Sequence, residues 1–307
     1  MAWRIHLANQ AIQNLHILPT KPPILAAWIS KRRLHYYDLS RGLLLSEQIL
    51  PSPPNVARKE DDWQNYIAQL ISPEKNVYLP YVRMRNTEMY STDDGKLRLY
   101  RDADDRLTME TDGVEEELSI VGGERFISVD LDRALGTVVG LDESLRLHVY
   151  QQNIRVGAFE LELENDVDLR PNVVVSRGGS NIYATDGRSL VSVDTSGTIL
   201  KKLDLHYYVG RMTCSPGGGM VITTDMENGV MRVYRGETLT LTHQKFVIDL
   251  VADAAQIQLL ADLPPTTTAI SAIAAYNRGM IAFAMSGVIC VTDVEALDEV
   301  PRPKALL

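Results

Sequence analysis

The sequence predicts an all-β protein built from repeated antiparallel units, and three observations support this fold class. A strand-like phrase recurs, because Asp94–Arg101 (DGKLRLYR) and Asn228–Arg235 (NGVMRVYR) agree closely along their length. Looser copies follow at intervals of roughly 40 to 60 residues, which is typical of repeat architectures. Asn-Gly, Asp-Gly or Ser-Gly turns precede most copies, and the first two are strong hairpin signals between apolar runs.

The aligned copies define the repeating unit. They centre on Tyr37, Tyr100, Tyr150, Val193, Tyr234 and Thr292. Each copy alternates apolar residues with polar or small ones, as a strand with two different faces does. A second strand-like segment runs into each turn, a further one follows several copies, and one more often precedes the unit. The pattern therefore predicts six units of four strands.

Residues 212–235 carry a resemblance to a known repeat. They contain the Ser-Pro-x-Gly turn at Ser215–Gly218 between the first two strands of the unit, followed by the Asn228-Gly229 turn. The unit ends in an aromatic and a polar residue, Tyr234-Arg235, and Tyr37-Asp38 in the first unit is a closer match to Trp-Asp. This stretch resembles a WD40 repeat, although no unit has the Trp-Asp pair or a clear Gly-His opening.

The WD40-like resemblance covers nearly the whole chain and is strongest over residues 78–111 and 211–236. It implies a single β-propeller of four-stranded blades over residues 1–307, because units that bury their faces only against neighbours close into a ring. We expect six blades, with seven as the alternative, since the longest intervals leave room for another. The last unit lacks a fourth strand, and an N-terminal strand over residues 3–7 is expected to complete it.

Two segments interrupt the strand pattern. Residues 51–73 begin and end with prolines, and between them apolar residues recur at helical spacing: Trp63, Tyr66, Ile67, Leu70 and Ile71. This spacing predicts an amphipathic helix near residues 57–71, inserted between blades one and two. Residues 246–263 give a mixed helix and strand signal.

Composition and charge exclude several classes of function. The formal net charge of −9 and the isoelectric point near 5.2 disfavour nucleic-acid binding, which relies on lysine and arginine. No apolar run reaches the roughly 18 residues of a membrane span. The first residues lack the apolar stretch of a signal peptide, so we expect a cytoplasmic protein. Cys214 and Cys290 lie in strand-like runs and are interpreted as buried free thiols.

A search for catalytic or metal-binding motifs predicts no catalytic residue, no metal and no cofactor. The phosphate-loop and Gly-x-Ser-x-Gly signatures are absent, and the six histidines lack metal-ligand spacing. Acidic residues do recur in or beside the turns between second and third strands: Asp93, Asp94, Asp142, Glu143, Asp186, Asp225 and Glu227. Carboxylates on one face of a ring are able to hold a hard cation. However, aspartate is also an ordinary turn residue, and we favour that interpretation.

The function that these observations favour is a non-enzymatic protein–protein interaction scaffold, a subunit of a larger complex with other protein subunits as partners. Candidate partner-binding residues are the basic triplet Lys31, Arg32 and Arg33 in the first unit, and Trp63 and Tyr66 on the predicted helix. A solvated turn and packing of the helix on its own propeller are the plain alternatives. The alternative function is a metal-dependent, lactonase-like hydrolase that uses channel carboxylates such as Asp130 or Asp225.

Overall fold

A computed structural model gives the architecture of the chain. It describes residues 3–7, 12–18, 20–29, 33–49, 81–84, 87–92, 96–101, 107–111, 114–118, 125–151, 154–164, 169, 171–251, 270–276, 279–285 and 287–301. These residues form six antiparallel sheets, four with four strands and two with five. We number the sheets 1 to 6 along the chain.

The first three sheets follow one another in sequence. Sheet 1 contains β2 (Ile12–Leu18), β3 (Ile24–Ile29), β4 (Arg33–Asp38) and β5 (Leu44–Ile49). Sheet 2 contains β6 (Tyr81–Met84), β7 (Thr87–Ser91), β8 (Leu97–Arg101), β9 (Leu107–Thr111) and β10 (Val114–Glu117). Sheet 3 contains β11 (Phe126–Leu131), β12 (Val138–Asp142), β13 (Arg146–Gln151) and β14 (Ile154–Glu160).

The last three sheets repeat the same antiparallel order. Sheet 4 contains β15 (Asn172–Val175), β16 (Ile182–Thr185), β17 (Ser189–Val193) and β18 (Ile199–Asp204). Sheet 5 contains β19 (Val209–Cys214), β20 (Met220–Asp225), β21 (Val230–Arg235), β22 (Thr240–Phe246) and β26 (Asp298–Glu299). Sheet 6 contains β23 (Ile270–Ala275), β24 (Met280–Met285), β25 (Val288–Asp293) and β1 (Trp3–His6).

The recurring phrase of the sequence is the third strand in each sheet. It forms β4, β8, β13, β17, β21 and β25, so the predicted six units are confirmed, each with at least four strands, and sheets 2 and 5 carry a fifth strand. The turn before β21 shows why its sequence signal was strong. Gly229 adopts a φ of +62°, in the left-handed region that favours glycine, and its N–H donates to the carbonyl of Asp225 at 3.2 Å.

The outermost strand of sheet 6 comes from the other end of the chain. β1 pairs antiparallel with β25, with Trp3 opposite Val291 and Ile5 opposite Ile289. The indole N–H of Trp3 also donates to the carbonyl of Leu39 in sheet 1 at 2.8 Å. The N-terminal strand therefore belongs to sheet 6 and contacts sheet 1 at the same time.

The predicted insertion lies outside the described residues, including Trp63 and Tyr66. After β22 the chain forms a short helix, α1 (Val247–Val251), whose Val247, Leu250 and Val251 are buried. In the range 246–263 that gave the mixed signal, the described residues are Phe246, which ends β22, and the helical residues Val247–Val251. Within the described ranges, no helix is long and apolar enough to cross a membrane.

The core consists of apolar layers between successive sheets. Separate clusters join sheets 2 and 3, 3 and 4, 4 and 5, 5 and 6, and finally 6 and 1. Neighbouring residues on one strand enter different layers: Val138 packs towards sheet 2, whereas Val139 packs towards sheet 4. This follows from the pleat, because successive side chains of a strand point to opposite faces. Sheets 3, 4, 5 and 6 therefore each contribute to two apolar layers, one on either face.

The first strands of the sheets also contact one another. β11 contacts β15, β15 contacts β19, β19 contacts β23, and β23 contacts β2. Sheet 2 makes two further contacts of this kind: β6 contacts β2 of sheet 1, and β7 contacts β11 of sheet 3. These contacts bring the polar side chains of different first strands near each other.

Tyrosine hydroxyls provide specific hydrogen bonds between sheets. The hydroxyl of Tyr90 in sheet 2 donates to the carbonyl of Val129 in sheet 3 at 2.9 Å. The hydroxyl of Tyr183, a fully buried side chain of sheet 4, donates to the carbonyl of Gly218 in sheet 5 at 2.6 Å. Each bond joins a side chain of one sheet to a backbone carbonyl of the next sheet.

We predict that Tyr183→Phe destabilises the protein while preserving its fold. The substitution leaves the buried carbonyl of Gly218 without this donor, which costs about 1–2 kcal/mol of the free energy of unfolding. Tyr208→Phe is the matched control, because the Tyr208 hydroxyl meets Arg188 near the surface and its loss should cost less than about 0.5 kcal/mol. Urea unfolding of both variants measures the difference, and equal midpoints would contradict the prediction.

Candidate functional site

The acidic residues between second and third strands are occupied by the turns in which they lie. The Asp225 carboxylate accepts from the backbone N–H groups of Glu227 and Asn228 at 2.9 and 3.0 Å. It also accepts from the Asn228 side chain and from the Arg232 guanidinium, both at 3.1 Å. Burial alone would raise the pKa of Asp225, but these hydrogen bonds outweigh it and lower the pKa. The Asp225 carboxylate is therefore a buried anion whose hydrogen-bond donors are supplied by the protein itself.

The equivalent aspartates of sheets 3 and 4 have similar partners. Asp142 accepts from two backbone N–H groups, and the buried imidazole of His148 lies 2.7 Å from its other oxygen. Asp186 accepts from the backbone N–H groups of Arg188, Ser189 and Glu164. The structure therefore assigns turn stabilisation to these aspartates, in agreement with the interpretation that the sequence favoured.

Of the other acidic positions, only Glu143 and Glu227 are described. Asp93 and Asp94 lie outside the described residues, and Glu143 and Glu227 are exposed. Within the part of the chain that the structure describes, no three His, Cys, Asp or Glu side chains are grouped closely enough to hold a metal ion.

Of the predicted partner-binding residues, only Arg33 is described. It begins β4, its side chain is 48% exposed, and its guanidinium lies 3.6 Å from the Glu47 carboxylate on β5. Lys31, Arg32, Trp63 and Tyr66 lie outside the described residues. The binding role of all five residues stays a prediction.

Sequence reasoning missed a polar cluster on the first strands. His16 on β2 is in hydrogen-bond contact with Arg133, which follows β11, although 117 positions separate them in sequence. Asp130 on β11 and Cys214 at the end of β19 are close enough to influence each other electrostatically. All four side chains are half-buried, and they come from three sheets. Since no short-range motif links them, only the folded chain brings them together.

The charge states in this inner polar cluster (His16, Asp130, Arg133 and Cys214) depend on burial. Burial raises the pKa of Asp130 to about 7, and the Asp132 carboxylate adds to this effect, whereas Arg133 opposes it. Burial and then the Arg133 charge hold the pKa of His16 well below its usual range. Burial also raises the pKa of the Cys214 thiol. The imidazole is therefore neutral and accepts from Arg133, and the thiol is protonated and unreactive.

Asp130 connects sheet 3 to sheet 4 through hydrogen bonds. Its two carboxylate oxygens accept from the backbone N–H groups of Leu131 and Val175 at 2.9 and 2.8 Å. Two residues earlier on the same face, the Ser128 hydroxyl accepts from the N–H of Val173 at 3.1 Å. These bonds satisfy N–H groups along the free edge of β15. A carboxylate used in this way, with a pKa near neutrality, is a poor ligand for a hard cation.

A second feature is the exposed edge strand of sheet 1, on the side of the sheet opposite to its first strand β2. β5 is the outermost strand, and β4 is its one partner among the described strands. Its aliphatic side chains are exposed to solvent: Leu44 is 53% exposed, Leu45 52% and Ile49 65%, and Leu43 just before the strand is 57% exposed. Three consecutive leucines in a strand with alternating faces are the sequence signal that could have revealed this surface.

The remaining outer strands are protected in ways that β5 is not. β9 and β22 are each covered by a fifth strand, β10 or β26. β14 carries exposed Arg155, and β18 carries exposed Lys201 and Lys202. The one charged residue of β5, Glu47, lies 3.6 Å from Arg33 and 3.5 Å from His35 on its own sheet. Charges and covering strands are the usual protection of sheet edges, and β5 has no covering strand among the described residues.

Comparisons with known proteins inform the fold. No protein-family model matches the sequence, and no curated protein sequence matches it. The computationally designed Ika8 protein has a similar structure with a TM-score of 0.56, at 10% identity over 94% of this chain and 98% of its own. Raptor from Chaetomium thermophilum has a TM-score of 0.54 at 12% identity, over 96% of this chain and 25% of its own. At these identities the likeness shows the fold alone.

We predict that Asp225→Ala is strongly destabilising, because it removes a buried acceptor and leaves Arg232 without its carboxylate. The expected loss is about 3 kcal/mol of the free energy of unfolding. Asp194→Ala is the control, since Asp194 makes similar bonds to Ser196 and Thr198 in a more exposed turn and should lose about 1 kcal/mol or less. Chemical denaturation of both variants checks this, and equal losses would show that burial of the turn does not matter.

We predict that Asp130 makes stability fall as the pH rises through neutrality. Its folded pKa of about 7 lies above the ordinary value of 3.8, so the folded protein holds this proton more tightly than the unfolded chain. The stabilisation is complete below pH 3.8 and is lost as the pH rises through 7. Asp130→Asn keeps one acceptor oxygen but does not titrate. Between about pH 5.5 and 8.5, the wild type should lose roughly 1–2 kcal/mol relative to this variant.

Urea unfolding of wild type and Asp130→Asn at several pH values measures this difference. Comparing the two proteins cancels the contribution of the other titrating groups. Parallel stability curves over the whole range would show that the Asp130 carboxyl does not titrate near neutrality in the folded protein.

Proposed function

We propose that the six sheets are the blades of a single six-bladed β-propeller. Apolar layers between successive sheets, including the layer between sheets 6 and 1, support a closed ring. The contacts of β23 with β2, and of β1 with β25, support closure by the N-terminal strand. The WD40-like phrases remain the sequence basis for relating the blades to that repeat.

We further propose that the chain is a non-enzymatic scaffold for protein–protein interaction and a subunit of a larger complex. One observation carries this proposal: the edge strand β5 exposes the aliphatic side chains of Leu44, Leu45 and Ile49 to solvent. An exposed aliphatic strand edge offers both apolar side chains and unpaired backbone groups, which is a common basis for binding another chain. The cytoplasmic location and the absence of nucleic-acid binding accompany this proposal as predictions from the sequence.

The structural observations favour a scaffold over a lactonase-like hydrolase. The two carboxylates considered for a channel cation, Asp130 and Asp225, are hydrogen-bonded to backbone N–H groups. In the proposed ring, His16 and Arg133 belong to the first and third blades, so their contact would reach across the channel entrance. A hydrolase would need this space for substrate and metal.

The scaffold proposal predicts a stable companion protein. An affinity-tagged copy, purified from its native cells and measured by mass spectrometry, should recover at least one partner in stoichiometric amount. Two affinity-tagged variants locate the interface. One combines Trp63→Ala with Tyr66→Ala, and the other replaces Lys31, Arg32 and Arg33 by alanine. Loss of the companion in either variant would place partner contacts at the predicted helix or at the basic triplet.

Recovery of no stoichiometric companion would contradict the scaffold proposal. Calorimetric titration with calcium then tests the alternative function, because a lactonase-like enzyme should bind a divalent ion in a one-to-one ratio. Tight stoichiometric binding of calcium would favour the hydrolase.

A further inference from the structure

We propose that Asn228 is a site of spontaneous deamidation, and that its conversion to aspartate or isoaspartate loosens the hairpin between β20 and β21. The modification needs only water, and the folded turn itself controls its rate. This inference is independent of the proposed scaffold function.

The reaction requires a particular pair of neighbouring residues, and Asn228 is the one asparagine of the sequence that is followed by glycine. The backbone nitrogen of Gly229 attacks the side-chain carbonyl carbon of Asn228, loses its proton to water, and expels the amide group as ammonia. A succinimide ring results, and water then opens it at either of its two carbonyls to give aspartate or isoaspartate. Glycine favours the attack because it has no side chain in the way and its backbone adopts a wide range of dihedral angles.

The turn that contains this pair is open to water. Met226, Glu227 and Asn228 are all exposed. Apart from the chain neighbours of Gly229, no residue has an atom within 4 Å of the place that a β-carbon on this glycine would occupy. Water therefore has access to the reacting atoms, and the released ammonia has a direct path to solvent.

Asp225 holds both reacting groups in unreactive positions. The N–H of Gly229 donates to the Asp225 carbonyl at 3.2 Å, which directs the attacking nitrogen at the backbone of β20. The side-chain N–H of Asn228 donates to the Asp225 carboxylate at 3.1 Å, and the backbone N–H of Asn228 donates to the other carboxylate oxygen at 3.0 Å. The attack requires the first two of these bonds to break. Deamidation therefore proceeds from a locally opened turn, and its rate reports how often the turn opens.

The carboxylate that the reaction creates is incompatible with the closed turn. It replaces a hydrogen-bond donor by an anion next to the Asp225 carboxylate, whose other side-chain partner is the Arg232 guanidinium. One guanidinium then faces two carboxylates, and the exposed Glu227 adds a third negative charge to the same turn. The Asp225 side chain is fully buried, so solvent screens this repulsion only weakly.

Isoaspartate has a second effect, because the chain then runs through the former side chain of Asn228. This adds one carbon to the backbone before Gly229 and changes the turn geometry that fixes the register of β20 and β21. In that register Ile222 lies opposite Val233, and both belong to the apolar layer between sheets 5 and 6. Both products therefore favour the open turn from which they formed, and the loss of ammonia makes the change one-way.

Peptide mass mapping of the aged full-length protein tests the site. Purified protein is kept in mildly alkaline buffer, where the attacking nitrogen loses its proton more readily. We expect Asn228 to acquire the mass of aspartate about ten-fold or more faster than Asn172 and Asn181, because the β-branched valine and isoleucine that follow them hinder the attack. In unfolding urea the rate at Asn228 should rise about ten-fold or more, because the turn is then always open.

Two results of this measurement would overturn the proposal. If Asn228 keeps its amide in both the folded and the unfolded protein, it is not a deamidation site. If it deamidates at the same rate in both, the bonds to Asp225 do not control the reaction.

Urea unfolding of three variants tests the consequence for the hairpin. Asn228→Asp should unfold at a lower urea concentration than Asn228→Ala, because both lose the bond to Asp225 but only the first adds a charge beside it. Asn228→Gln keeps an amide but forms the corresponding larger ring far more slowly. On ageing, the wild type should lose stability in proportion to its deamidated fraction, whereas Asn228→Gln should lose none. Equal midpoints for Asn228→Asp and Asn228→Ala, or an equal loss in aged Asn228→Gln, would show that deamidation at this position does not loosen the hairpin.

Discussion

Face-to-face packing between neighbouring sheets is the interaction on which the rest of the structure depends. Alternating side chains on one strand enter two different layers, as Val138 and Val139 do. A four-stranded sheet with two apolar faces is not stable alone in water, so sheets 3, 4, 5 and 6 each depend on both neighbours. The described residues contain five such layers, and one of them joins the last sheet to the first.

Polar side chains make hydrogen bonds to backbone groups that apolar packing between the sheets cannot satisfy. Asp130 and Ser128 serve the free N–H groups of β15, and Tyr183 serves a carbonyl of sheet 5. The turn aspartates satisfy backbone donors within each sheet, as Asp225 does. Of the acidic residues that first suggested ligand chemistry, Asp130, Asp142, Asp186 and Asp225 act as internal hydrogen-bond acceptors. On the described outer edge of sheet 1, β5 exposes its aliphatic side chains to solvent.

Local sequence signals predicted the strands well because hairpins depend on local chemistry. The Asn228-Gly229 turn and the alternation that ends at Tyr234 are readable within a few residues, and the third strand of each sheet lies where the phrase recurs. The contact between His16 and Arg133 joins positions far apart in sequence, so no local pattern reveals it. The ion pair between Glu47 and Arg33 was equally hidden, because it depends on the register between β4 and β5.

The pairing of β1 with β25 sets the order in which the molecule can mature during synthesis. Trp3 and Ile5 are synthesised before the other five sheets, and their partners Val291 and Ile289 only after them. The β1 segment must stay unpaired while those five sheets form, and sheet 6 is complete only after β25 has been synthesised. Closing so long a loop is slow compared with hairpin formation. A nascent chain stalled before Val288 would expose the β1 segment with Trp3, because β25 would not yet exist to pair with it. Such an exposed segment is a substrate for chaperones and proteases.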